Sequence, residues 1–152
     1  MQLMELELAV KIAVIFSGIF LWIGMLTGVW KYWQIRQSPQ SRAHHYVDIA
    51  HRSSLLYAPS TLILAVLAYC SVLSSAVNLI CVLINILFFS FSIGAYVLHG
   101  FLQDTTNQFK QPHQLGKFQL PESLMTLAML GLIIAELGGT GILVYGAFAG
   151  LF

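Results

Sequence analysis

Apolar residues fall along this chain in four long blocks, roughly residues 8–30, 55–73, 76–98 and 124–148, and polar residues collect between them. A helix that crosses a bilayer needs about 20 mostly apolar residues. Each block meets that length, and nothing else in the chain comes close. The blocks predict four transmembrane helices, an all-α bundle forming one domain over residues 1–152. Blocks two and three are parted only around Ser74 and Ser75, which predicts a tight helical hairpin.

The loops differ in character. Residues 42–48 hold no Gly or Pro and lead straight into the second block, so this stretch is expected to be helical and to project from the membrane. Pro39 marks the turn before it. Residues 103–121 are polar and carry two prolines, Pro112 and Pro121, and read as irregular. Two glycine pairs, Gly24 with Gly28 and Gly146 with Gly150, have the four-residue spacing that lets helices approach closely in lipid.

Composition supports a membrane setting. The chain is 58% hydrophobic and 9% charged, with a formal net charge of +1. Soluble domains carry about 25% charged residues, so the bilayer is the solvent this surface suits. The charge balance gives no case for nucleic acid. The first block is not a typical signal peptide: Glu5 and Glu7 flank it, it is too long, and no small-residue cleavage site follows.

Basic residues set an expected orientation. Lys31, Arg36, Arg42 and Arg52 belong to the first loop or its edges, and Lys110 and Lys117 to the third. The second loop has none, and the N-terminal end has Lys11 alone. In a bacterial inner membrane the first and third loops would be cytoplasmic and both termini would lie on the outer side. Trp30, Tyr32 and Trp33 sit where the first helix should leave the hydrocarbon. Glu7 lies four residues before Lys11 and is expected to pair with it. Cys70 and Cys81 read as buried small hydrophobes.

Candidate chemistry gathers at the basic end. The second helix starts there and the third ends there, which predicts His51 and His99 at similar depth. Arg52, Asp48, Asp104, Asn107 and Gln108 lie near them in sequence. His44, Asp48 and His51, at i, i+4 and i+7, would share one helical face and offer imidazole and carboxylate to a divalent metal. His51 and His99 on adjacent helices offer haem ligation as an alternative. Interfacial histidines also commonly cap helices or contact phosphates, so neither ligand follows from spacing alone. Glu136 is the one acid in the middle of a block. An ionisable group there is costly and is by default a functional candidate; a protonated carboxyl bonded to a neighbouring helix is the plainer reading.

The stretch Ala50–His51–Arg52–Ser53–Ser54–Leu55–Leu56–Tyr57–Ala58–Pro59 resembles the start of the second helix in the superfamily of membrane-associated proteins in eicosanoid and glutathione metabolism (MAPEG). Ala50, His51, Tyr57 and Pro59 match. The end of the third block, Tyr96–Val97–Leu98–His99, is similar to that family's arginine-x-x-histidine. Chain length, four spans and the basic first loop fit as well. The family's asparagine falls on Ser53, its glutamate on Leu56 and its helix-three arginine on Tyr96, and only Lys110 and Lys117 lie near the arginine expected before the fourth helix. The resemblance implies a MAPEG-like bundle, a homo-oligomer that would be a trimer, and a degenerate glutathione-dependent transferase acting on lipophilic electrophiles. His51, Arg52 and Arg42 would then hold glutathione. From a different class, a small accessory subunit would dock a larger membrane complex through its glycine faces and Glu136.

Overall fold

The computed structural model describes residues 6–152. Glu5, part of the acidic flank, lies outside the described residues. Four helices are long and apolar enough to cross a membrane, and the protein is an all-α four-helix bundle of multi-pass membrane type. Helix α1 spans Leu8–Gln37, α2 His45–Cys70 and α3 Ser75–Leu102. The fourth span is composite: α4 (Glu122–Ile133), one turn of π-helix (Ile134–Gly138), then α5 (Gly139–Leu151). Large apolar side chains such as Trp22, Val29, Ile63, Ile80 and Leu127 cover the outside, where lipid meets them.

Both glycine pairs sit at helix contacts. A Cβ on Gly24 would lie 2.6 Å from Leu55 Cδ2, and one on Gly28 would lie 2.8 Å from the His51 ring. Gly146 and Gly150 lie against the α2–α3 turn, where the Gly146 carbonyl accepts from Val72 N. With no hydrophobic drive between helices in lipid, such small residues allow the dispersion contacts that hold the helices together.

The two ends of the bundle are distinct. Glu7 meets Ser75 and Asn78 at the start of α3, and Gly150 meets Cys70 at the end of α2. Both termini therefore share an end with the α2–α3 turn. The opposite end carries the α1–α2 loop and the segment between α3 and α4.

Several local expectations are corrected. Glu7 accepts from Ser75 Oγ at 2.8 Å and Asn78 Nδ2 at 3.3 Å instead of pairing with Lys11. The buried amide of α3 needs an acceptor, whereas exposed Lys11 has other solvents for its charge. Residues 42–44 are not helical: α2 starts at His45, and His44 is its N-cap, with Nδ1 accepting from Tyr46 N at 3.3 Å. The third loop is not wholly irregular. It contains an antiparallel hairpin, β1 (His113–Leu115) with β2 (Phe118–Leu120), in the register His113 to Leu120. Gly116 opens its two-residue turn at φ +59°, a conformation that favours glycine. Pro59 lies inside α2 and denies the Leu55 carbonyl its helical donor. Cys70 and Cys81 are free thiols.

Candidate functional site: a lipid-side cleft closed by a His–Asp pair

Helix α4 buries none of its residues. It stands off α3 and leaves between them a cavity of about 610 Å³. The two walls of this cleft differ. Leu124, Met125, Ala128, Met129 and Leu132 of α4 make one wall apolar. The other wall carries Tyr57 from α2, with Ser92, Tyr96 and His99 from α3. Ser92, Tyr96 and His99 follow the i, i+4, i+7 rule and so share a face.

The basic end of the cleft is closed by a chain of specific contacts. Gln103 follows α3 in the left-handed region (φ 51°), and its N–H donates to the His99 carbonyl. That reversal returns Asp104 to His99. Asp104 Oδ1 lies 2.8 Å from His99 Nδ1, and Oδ2 accepts from Gly116 N at 2.6 Å. The two side chains are 5% and 7% exposed. Burial works to raise the Asp104 carboxyl, but the Gly116 amide and the His99 ring outweigh it and hold the group below its ordinary value. Asp104 is thus ionised at neutral pH, Nδ1 of His99 carries the proton, and among the described residues no hydrogen-bond partner meets Nε2. Tyr46 packs over the ring at 5.1 Å and stacks on Tyr96 at 6.0 Å, while its hydroxyl accepts from Gln108 N at 2.6 Å. Pinned at Gly116, the hairpin lays Leu115 and Leu120 over the mouth.

On its far side this closure borders a second cavity. Asp104 lines this polar space of about 490 Å³ with His44, Asn107 and Lys110. The pair therefore stands between the two cavities, His99 lining the largely apolar one and Asp104 the polar one. A carboxylate that fixes the tautomer of an imidazole leaves the other ring nitrogen able to accept or pass a proton.

The residues singled out for chemistry disperse. His51 Nδ1 donates to the Gly24 carbonyl at 2.7 Å, so this ring faces α1 while His99 faces Asp104. Asp48 binds Lys31 Nζ and Arg52 Nη2, each at 2.6 Å. With His44 spent on the helix cap, the proposed metal set His44, Asp48 and His51 does not converge, and among the described residues no group of three or more His, Cys, Asp or Glu is placed to hold a metal. Each of the three side chains is held by a different partner: His44 by Tyr46 N, Asp48 by Lys31 and Arg52, and His51 by the Gly24 carbonyl. Burial and the neighbouring His45 hold the His44 imidazole below its ordinary value, consistent with a neutral ring accepting at the cap. Arg42 lines an open polar pocket with Gln34 and His44.

The Lys31–Asp48–Arg52 cluster lies at the protein surface, with the side chains of Lys31 30%, Asp48 28% and Arg52 63% exposed. Exposed ion pairs contribute little. Asp48→Ala is expected to cost less than about 1 kcal/mol, read from thermal unfolding in detergent.

Asn78, Asn85, Ser92 and His99 recur every seven residues and are all buried. A seven-residue step is close to two helical turns, so polar groups run the length of α3 on one stripe. Asn85 Nδ2 donates to the Cys81 carbonyl and Oδ1 accepts from Thr140 Oγ1 at 3.1 Å. Beside that stripe, Glu136 sits on the π-turn, and its Oε1 is enclosed without a hydrogen-bond partner among the described residues.

Compared with protein-family models, curated proteins and solved structures, the chain matches none.

Proposed function

We propose that this protein holds a lipophilic molecule in the cleft between α3 and α4 and presents the polar end of that molecule to His99. The carrying observation is the cavity of about 610 Å³ whose apolar wall faces a wall of Tyr57, Ser92, Tyr96 and His99. Ligand sites are largely apolar, with a few polar groups that fix orientation. A long apolar tail suits α4, and a hydroxyl, carbonyl or acid group suits the tyrosines and the free Nε2. In this proposal the basic end is cytoplasmic in a bacterial inner membrane and both termini lie outside. Lys31, Arg36, Arg42, Arg52, Lys110 and Lys117 support that orientation.

The test is binding of a fluorescent acyl-chain probe to the purified protein. Ala128→Trp places an indole in the cleft and is expected to weaken binding at least about tenfold, or 1.4 kcal/mol. Binding unchanged in this variant overturns the reading.

Glutathione as a second, water-soluble substrate is a reading the MAPEG resemblance adds. Its support is the polar pocket holding Arg42 and His44 beside the closure. Arg52 and His51 have protein partners already, which leaves Arg42 to meet a carboxylate. Glutathione at millimolar concentration should then raise the unfolding temperature of the wild type and not of Arg42→Ala; equal response in both counts against it. The same resemblance implies a trimer, which sedimentation in detergent tests.

A further inference from the structure

We propose that Glu136 is the inner end of a proton path that opens only toward the basic end, along the polar wall of the α3–α4 cleft to His99 and Asp104.

A carboxylate in hydrocarbon is costly unless it is neutral, paired or in contact with water. Among the described residues Glu136 is in no ion pair; the turn that carries it packs against α3, and the titratable groups of the adjoining cleft wall are Tyr57, Tyr96 and His99. Its Oε1 is enclosed and unpartnered, so the side chain is not spent on a structural bond through that oxygen. It sits on a π-turn, a local distortion that is frequent at functional sites. The backbone there gives up regular helix at the one acid in the middle of the span.

From Glu136 toward the basic end, groups able to exchange protons follow one another. Tyr57 of α2 and Ser92 of α3 border the cavity together. Tyr96 lies one turn beyond Ser92 on the same face and stacks on Tyr46. His99 is three residues further, under Tyr46, and its Nδ1 meets Asp104. Asp104 lines the polar cavity. Tyr57, Ser92, Tyr96 and His99 all border one cavity, which has the room and the polar partners that water needs. A proton taken up at Nε2 of His99 is matched by release of the Nδ1 proton to Asp104 and the aqueous side; the reverse steps return it, with no net chemistry.

Toward the terminal end the stripe changes character. Asn85 and Asn78 are carboxamides with no exposure, and Asn85 is fixed from two sides by Cys81 and Thr140. A neutral amide held by both its ends is a poor relay. Glu7 is the next acid, beyond Asn78. The path is therefore closed on that side.

Infrared spectroscopy of the protein in liposomes tests this without any ligand, so its outcome is independent of the cleft reading. The carbonyl stretch of a protonated carboxyl should be present and should vanish in Glu136→Gln. On transfer to heavy water that band should shift, and His99→Gln and Tyr96→Phe should each slow the shift about tenfold or more, as expected of members of a membrane proton relay. Glu7→Gln, whose amide oxygen accepts from Asn78 while its nitrogen donates to the Ser75 hydroxyl, should leave the rate unchanged. A band that survives in Glu136→Gln, a rate indifferent to both His99→Gln and Tyr96→Phe, or a rate slowed by Glu7→Gln overturns the proposal.

Discussion

Asp104→Ala is expected to destabilise the protein by about 2–6 kcal/mol, because two donors each lose an acceptor at about 1–3 kcal/mol apiece. One is His99 Nδ1 and the other is the Gly116 amide. The hairpin loses its tie to the end of α3, so Leu115 and Leu120 leave the cleft mouth and bound probe should be lost along with stability. Asp104→Asn retains the shape but offers one acceptor oxygen for two donors, and should fall between. The pH dependence follows from the direction of the Asp104 shift. Its folded value lies below its unfolded one, so the stabilisation is fully present above the ordinary aspartate value near 3.9 and is lost as pH falls through the lower folded value. Unfolding in detergent at neutral and acidic pH measures both effects. Wild type should lose stability on acidification more steeply than Asp104→Asn; equal slopes would remove the carboxylate from the account.

Gly24→Leu should be strongly destabilising. The new side chain starts 2.6 Å from Leu55 Cδ2 and 3.2 Å from the Leu55 backbone nitrogen. Side chains yield, but the backbone of α2 is held by its own helix. Overpacking of this kind costs about 1–3 kcal/mol and sometimes more. The same step also presses on the Gly24 carbonyl, which accepts from both His51 and Thr27. Gly18 on the same helix has nothing within 4 Å of the place its Cβ would take. Gly18→Leu is therefore the control and should be nearly neutral, since it meets open space facing lipid. Thermal unfolding of the pair in detergent separates local crowding from a general effect of lengthening a side chain on α1. Similar losses in both variants would show that α1 and α2 are not packed through Gly24.

The spans were legible in the sequence because hydropathy over some twenty residues is a local property and the bilayer is the partner every such segment meets. The glycine spacings were legible for a related reason: close approach of two helices needs a missing side chain, wherever the second helix comes from. The chemistry was harder to read. His44, Asp48 and His51 share a face only if the helix includes His44, and in the folded chain His44 is the cap, its amide donating to Gln34 Oε1 ten residues away. His51 and His99 were placed at a common depth, yet depth says nothing of direction, and one ring is drawn to a carbonyl of α1 while the other is drawn to Asp104.

By itself the sequence determined the medium, the number of crossings and the concentration of charge at one end, because each is a sum over neighbouring residues. It also carried the seven-residue recurrence of Asn78, Asn85, Ser92 and His99, which gains meaning only once those positions are known to be buried. Tertiary structure alone decided that α4 stands away from α3, that the π-turn falls at Glu136, and that Gly116 returns to Asp104 across twelve residues. Those outcomes depend on which polar group finds a partner when many compete in a medium that supplies none, and that competition is settled between distant parts of the chain.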